Sequence, residues 1–510
     1  MHPTFPDLSN EIDIGVKTVD ELPGPLHLDT YQRPYVWDED KVRQLVDDLE
    51  SHQDKHGTEE PYYMGTLLLH APEEAWPRAN RRLNVIDGQQ RLTTLALISR
   101  IIFGAVPDSI QFRFGSNISH QHIRQAHDVL QQRLRDVALR LDKLSFTVIA
   151  VRQEDLAFAF FDTQNNRGVP LATTDLLKAY HLRAVQDDQA PEKQESIQRM
   201  CARRWEEMQV RKLEGEGVPI NTERGKDPVS DLFHYYLWRA RSWRGQRSIV
   251  RESRNQLLDH FQTHSSPAER IDSIPLYPTP GNQLASSLRL GPEGDTRLDT
   301  APIRLTGNPA NLPFSLRQPI HEGLGFFLYA AKYSALERRL FWEKPNNHEL
   351  SRYQTFYQSV AAHNSPYLRQ LHRLAVLMYH DQFGEDGLLK FSWALEYVLG
   401  AIRMAKQRVF KRAPMKYLEE ANHNLLDVIA SAYRPEEVMS FLMRPEHRIR
   451  DEQTVASIFR SMETQPEDSV SEINRVQQRY YDRLRKYFVE DQGVTSLEFQ
   501  SFRKKVELAR

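Results

Sequence analysis

Apolar positions in the first 190 residues alternate between two periods. In DEDKVRQLVDDLES, Val42, Leu45, Val46 and Leu49 recur at helical spacing, and Asp38 stands where a side-chain N-cap belongs. That predicts an amphipathic helix. Compact apolar runs predict buried strands at Tyr62–His70 (YYMGTLLLH), Leu83–Ile86 (LNVI) and Ser145–Val151 (SFTVIAV), with a short strand at Pro25–Thr30 (PLHLDT). Helical spacing returns from Thr93 to Phe103, in EDLAFAFFDT, and in TTDLLKAYHLRAV (Thr173–Val185), where Asp175 suits the positive N-terminal end.

Beyond residue 190 the pattern is almost wholly helical. Segments fall near 192–210, 228–242, 249–262, 324–342, 350–381, 391–411, 415–432 and 469–490. Between them, Ser265–Pro313 is rich in Pro, Gly and Ser and reads as a structureless functional loop or insertion. The expected class is α+β: a strand–helix domain over 1–190, a helical extension over 191–263, the loop over 264–320 and an α-helical domain over 321–510.

Composition changes this picture little. The 510 residues carry a net charge of −2, with 40% hydrophobic and 27% charged positions, as in an ordinary globular chain. No global nucleic-acid signature exists, so any DNA contact must be a local basic patch. One cysteine, Cys201, excludes a disulfide framework and a Cys-rich zinc site. The opening MHPTFPDLSNEIDIG lacks the build of a signal peptide, and the longest apolar stretch, Leu92–Val106, is too short and interrupted to span a bilayer. A cytoplasmic protein with no membrane partner is the expectation.

The candidate chemistry sits in LNVIDGQQRLTTL. A buried strand reaches Asp87, Gly88 permits a tight turn, and a helix follows. The first N–H groups of that helix can meet an anion, and Arg91 adds a fork suited to phosphate oxygens. Gln89 and Gln90 can donate to phosphate or orient a water. Asp87 can hold a metal ion or position an arginine. The competing reading is a plain strand–turn–helix in which Asp87 caps the helix and Arg91 makes a surface ion pair. Two further polar turns carry arginines in the same region: YQRPYVWDEDKV with Gln32 and Arg33, and FDTQNNRGVPLATTDLLKAY with Asn165, Arg167 and Gly168. Polar turns on a rigid scaffold are where sites usually lie.

YQRPYVW, YYMGTLLL, VIDGQQRLTTL and FDTQNNRGVPLATTDLLKA, in that order, make residues 25–185 resemble the ParB-like N-terminal domain of the GmrSD type IV restriction enzymes. A weaker echo lies at LRQPIHEGLGFFLYAAKYSAL. The resemblance implies a ParB/sulfiredoxin-like fold that binds and hydrolyses a nucleoside triphosphate with Mg²⁺. It implies phosphate contacts from Arg33 and Arg91, with Gln32 and Thr93 beside them. Asp87, Gly88, Gln89 and Gln90 would form the cradle that positions water or Mg²⁺, and Asn165, Arg167 and Gly168 would close it.

Family members that cut DNA alone carry a C-terminal HNH domain. The helical half offers NNHEL, HNSPY with His363, and ANHNLL with His423, but no strand pairs or HNH spacing. Solvated His–Asn pairs on helix faces are the expectation there. EDGLLKF lacks the strand a carboxylate–lysine nuclease site needs. A separate nuclease or effector is therefore expected as partner.

The run YYLWRARSWRGQRSIVRESR pairs arginines with tryptophans, which suits phosphate contact and base stacking. It nominates Arg241, Arg244 and Arg247 as DNA contacts, against a packing reading in which Tyr235, Leu237 and Trp238 face a core. In RVQQRYYDRLRKYF, Val476, Tyr480, Leu484 and Phe488 predict a packed face. Three functions compete: an NTP-hydrolysing defence component that senses foreign or modified DNA, a non-hydrolysing nucleotide-dependent DNA-binding switch, and a scaffold with a decayed site. The intact DGQQR and QRP argue against the third.

Overall fold

Five strands and the helices that cover them build the first of two compact units, Met1–Val210; the second is Arg211–Arg510. The computed structural model describes residues 12–29, 32–71, 83–134, 139–153, 156–157, 172–187, 189–209, 227–267, 270–277, 286–290, 296–300, 307–345, 347–443, 472–494 and 504–505.

In the first unit, β1 is Ile12–Thr18, β2 Leu26–His27, β3 Tyr62–His70, β4 Leu83–Asp87 and β5 Leu144–Val151. They form one mixed sheet in the order β1-β5-β3-β4-β2. The β3/β5 and β2/β4 pairs are parallel, and β1/β5 and β3/β4 are antiparallel. One face packs on helices. Leu67, Leu69, Leu83, Val85, Phe146 and Val148 share a core with Val42, Leu45, Val46 and Leu49 of α1 (Glu39–His56). The predicted cap is present: Asp38 Oδ1 accepts from the Lys41 amide at 3.0 Å. Leu92, Leu95 and Ile98 of α2 (Gln89–Phe103) and Val129 and Leu130 of α3 (Asn117–Arg133) complete that core. Then come α4, Thr173–Arg183, and α5, Pro191–Gln209.

The second unit is mostly helical, which makes the chain α+β. Helix α6 runs over 228–242 with a π turn at Leu232–Leu237, and α7 is Arg254–Phe261. Then follow α8 (Leu324–Phe341), α9 (His348–Ser359), α10 (Pro366–Phe383), α11 (Leu388–Ala405), α12 (Arg412–Leu418), α13 (Leu425–Ser431), α14 (Pro435–Leu442) and α15 (Glu472–Arg485).

Four expectations are corrected here. The segment 350–381 is two helices, because Ser365 caps α10 and Pro366 occupies its first position. The segment 415–432 also splits, where Asn424 caps α13 through the Leu426 and Asp427 amides. The loop at 265–313 is not wholly structureless: Ser286–Leu290 pairs antiparallel with Thr296–Thr300. In the last helix Val476 is 52% exposed, whereas Gln477 is buried and donates to the Met404 carbonyl at 2.8 Å. Tyr480, Leu484 and Phe488 are buried as expected.

Candidate functional site

Strand β4 carries Asp87 at its C-terminal end, and the chain turns at Gly88 with φ 107° and ψ 0°. No other residue fits comfortably: a Cβ there would lie 2.2 Å from Leu67 Cδ2, and the positive φ strains any L side chain. Helix α2 starts at once. Its first closing bond is Leu92 N–H to the Gly88 carbonyl, 3.0 Å, so the amides of Gln89, Gln90 and Arg91 have no acceptor within the helix. Asp87 does not cap the helix; Gly88 is the N-cap.

The two glutamines do different work. Gln90 is buried and clamps the QRP turn, donating Nε2 to the Pro34 carbonyl at 3.1 Å and accepting from the Val36 amide at 2.9 Å. Gln32 makes the return contact, its Nε2 reaching the Val85 carbonyl at 2.7 Å and the Ile86 carbonyl at 3.2 Å. Tyr35 adds a buried hydroxyl contact to Thr94, 2.9 Å, and burial pushes its phenol up to about 12. Gln89 is 5% exposed, and its buried Oε1 has no hydrogen-bond partner among the described residues. Thr93 turns inward, its hydroxyl donating to the Gln89 carbonyl at 2.8 Å.

Arg91 is already engaged. Nη1 donates to the Met64 carbonyl at 2.7 Å, and Nη2 to the Thr66 carbonyl at 2.6 Å and to Asp87 Oδ2 at 3.2 Å. The guanidinium fills the space over Gly65, where a Cβ would lie 2.5 Å from Nη1. It thus pins α2 to the irregular stretch of β3 between Tyr63 and Thr66. Of the two roles open to Asp87, positioning an arginine is visible. The ion pair of the competing reading is also there, with Arg91 bound to two carbonyls besides.

Arg33 differs. It is half-buried and forms no hydrogen bond or ion pair among the described residues. Its charge acts on Asp175 of α4. Burial raises the Asp175 carboxyl above its ordinary value, while Arg33 and Lys178 pull it back. Lys178, 1% exposed, donates to the Gln32 carbonyl at 3.2 Å and faces Glu206 at 3.7 Å. Burial lowers its ammonium, opposed by Glu206 and Asp175. The sequence reading missed Lys178 and gave Asp175 only a helix-end role; their three-residue spacing in TTDLLKAY was the available signal. Asn165, Arg167 and Gly168 lie outside the described residues.

Phosphate oxygens suit this donor set: Arg33, which forms no hydrogen bond or ion pair among the described residues, and the amides of a glycine-headed helix start. Among the described residues no three His, Cys, Asp or Glu side chains gather as a metal site. Mg²⁺ would meet Asp87 together with phosphate and water oxygens.

The arginine-rich run separates into two groups. Arg241 is buried, donating Nε to His260 Nε2 at 2.7 Å and Nη1 to the Leu316 and Gln318 carbonyls. That corrects its nomination as a DNA contact, because its guanidinium is spent inside the unit. Arg244 and Arg247 are exposed, and Arg244 donates to the Arg241 carbonyl at 2.9 Å. Leu237 and Trp238 are buried as the packing reading required, and Tyr235 lies under the Arg239 guanidinium.

Among the His–Asn pairs, Asn364 is not solvated. It is buried and donates to Glu396 at 2.8 Å. Glu396 also meets His372 Nδ1 at 3.1 Å, and His372 Nε2 meets Ser392 at 3.1 Å. This order resembles a hydrolase relay, but Ser392 and His372 are both 0% exposed, so it serves packing. His423 is exposed beside Asn424, which caps α13.

The sheet, the glycine turn and the two interlocked motifs define a recognisable domain class. Residues 16–182 match the GmrSD restriction endonuclease N-terminal domain and form a domain of that family. Residues 197–456 match a family of unknown function, DUF7834; this covers more than half of the chain, and the chain belongs to that family. No HNH domain matches the C-terminal region. No curated protein matches the chain. No helix among the described residues is long and apolar enough to cross a membrane.

Proposed function

We propose that the N-terminal unit binds a nucleoside triphosphate with Mg²⁺ and hydrolyses it. In this reading the chain is the sensing component of a bacterial anti-phage or restriction system. It recognises foreign or modified DNA in the cytoplasm and works with a partner nuclease or effector. The observation that carries the reading is Arg33, a half-buried cation with no hydrogen bond or ion pair among the described residues, next in the chain to Gln32, whose side chain is tied to the end of β4. A half-buried guanidinium favours an anion, and the amides at the start of α2 supply further donors. Gln89 Oε1 accepts from the attacking water and orients it. Asp87, which holds Arg91 through Oδ2, would be the carboxylate that holds Mg²⁺, and the ion would neutralise phosphate charge. Asn165, Arg167 and Gly168 belong to the same reading as closing groups, and Arg244 and Arg247 as DNA contacts.

The second reading, a non-hydrolysing DNA-binding switch, is favoured by one observation: Asp87 already gives an oxygen to Arg91, 3.2 Å away, and so serves the framework. Phosphate release by the purified chain, with and without DNA, separates the two. Hydrolysis is expected in wild type and should fall at least about tenfold in Arg33→Ala, which removes a charge-assisted contact. Tight binding without release would select the switch. No binding would overturn both.

A further inference from the structure

We propose that Lys178 is a positioning residue for Arg33, the strut through which α4 holds the QRP turn in its anion-receiving geometry. The proposal rests on the nucleotide reading above. Both neighbours of Arg33 are tethered. On its C-terminal side the Pro34 carbonyl accepts from Gln90. On its N-terminal side the Gln32 carbonyl accepts from Lys178, while the Gln32 amide reaches across to β4. The tethers from Gln90 and Gln32 belong to the β4–α2 framework. Lys178 alone among these tethers reaches Arg33's turn from α4.

A buried ammonium is costly to keep unless it is paired, so its placement needs a reason. Glu206 on α5 gives Lys178 its counter-charge, and Asp175, one turn before it, faces the field of Arg33. Lys178 touches no reacting atom in this scheme. It fixes the backbone from which Arg33 projects, and small displacements of a binding group are expensive.

A double-mutant cycle tests this on the full chain, using a non-hydrolysable triphosphate with Mg²⁺ and calorimetric Kd. Arg33→Ala should weaken binding roughly ten- to a hundredfold, as loss of a charge-assisted contact does. Lys178→Met keeps the buried volume and removes the donor. It should weaken binding about tenfold in wild type and less than about twofold in the Arg33→Ala background, since coupled residues are non-additive. Equal losses in both backgrounds, or no loss in either, would overturn the strut. If Lys178→Met does not fold, Glu206→Gln carries the same cycle by removing the ion-pair partner, with the same non-additivity expected and the same additivity refuting it. Wild type that binds no triphosphate defeats the nucleotide reading and the strut with it. Wild type that binds, with Arg33→Ala weak and Lys178→Met silent, defeats the strut alone.

Discussion

Replacing Arg91 with alanine separates a phosphate ligand from a structural clamp. The side chain makes three contacts, two to β3 carbonyls and one to Asp87, and is 22% exposed. Hydrogen bonds from a charged donor contribute roughly 1.5–3 kcal/mol each. The partly exposed ion pair with Asp87 adds only about 0.3–0.5 kcal/mol. Water can reach part of the vacated space and re-solvate the carbonyls, so the expected loss is about 2–4 kcal/mol and not the full sum. Two compact units make a single global transition a poor measure. Hydrogen exchange at the amides of β3 and α2 reads the affected region directly. Protection there should fall sharply, and Arg91→Lys should recover little, because an ammonium cannot fork between Met64 and Thr66. Unchanged protection together with at least tenfold weaker triphosphate binding would refute the clamp and return Arg91 to the phosphates.

Acid should weaken the second unit through His260. Burial, then Arg241, His264 and Arg244, lower its imidazole to about 4 from its ordinary value of 6.5. A depressed folded-state value means this stability is complete above pH 6.5 and is lost as pH falls towards 4. Because the ring is partly exposed, the loss is at most about 2–3 kcal/mol. Urea midpoints followed by tryptophan fluorescence should fall over that window in wild type and change less in His260→Gln; parallel curves would remove His260 as the cause. Separately, Arg244→Ala with Arg247→Ala should flatten the salt dependence of DNA binding by about 1.8 in log–log slope if both meet phosphates. Filter binding across a salt series checks it, and an unchanged slope would take this turn out of any DNA surface.

Much of the first unit was legible because burial on one face imposes a period. The four buried positions of α1 and the limits of β3 follow from apolar spacing alone. Strand β1 escaped because it is an edge strand with Ile14 and Val16 exposed, so its apolar residues mark no core. Helix α3 escaped because NISHQHIRQAHDVLQQR buries few apolar positions. The break before α10 was written in Ser365 and Pro366 but hidden by apolar spacing that continues across it. Within the site, Asp87, Gly88 and the helix start were readable as local chemistry. The fate of Arg91 was not, since its acceptors are backbone carbonyls offered by an irregularity of a distant strand. Arg241 misled for the same reason: sequence shows the charge, while its two carbonyl acceptors lie 75 and 77 positions away.

The conspicuous arginine and the available one are therefore different residues, and this shapes how the site can respond to a ligand. Gln90 holds the QRP turn from α2, and Gln32 holds β4 from the turn, so the two motifs form a reciprocal lock. Arg91 fastens the same framework to β3. Moving Arg33 as part of this framework would break several buried hydrogen bonds at once, each costing about 1–3 kcal/mol when left unmade. Among the described residues, the hydrogen bond that ties α4 to the turn is the Lys178 contact at 3.2 Å. A bound anion that changes the molecule's state would find its least costly displacement there. Binding energy spent at Arg33 would be transmitted to Asp175 and Lys178 before it reached the sheet.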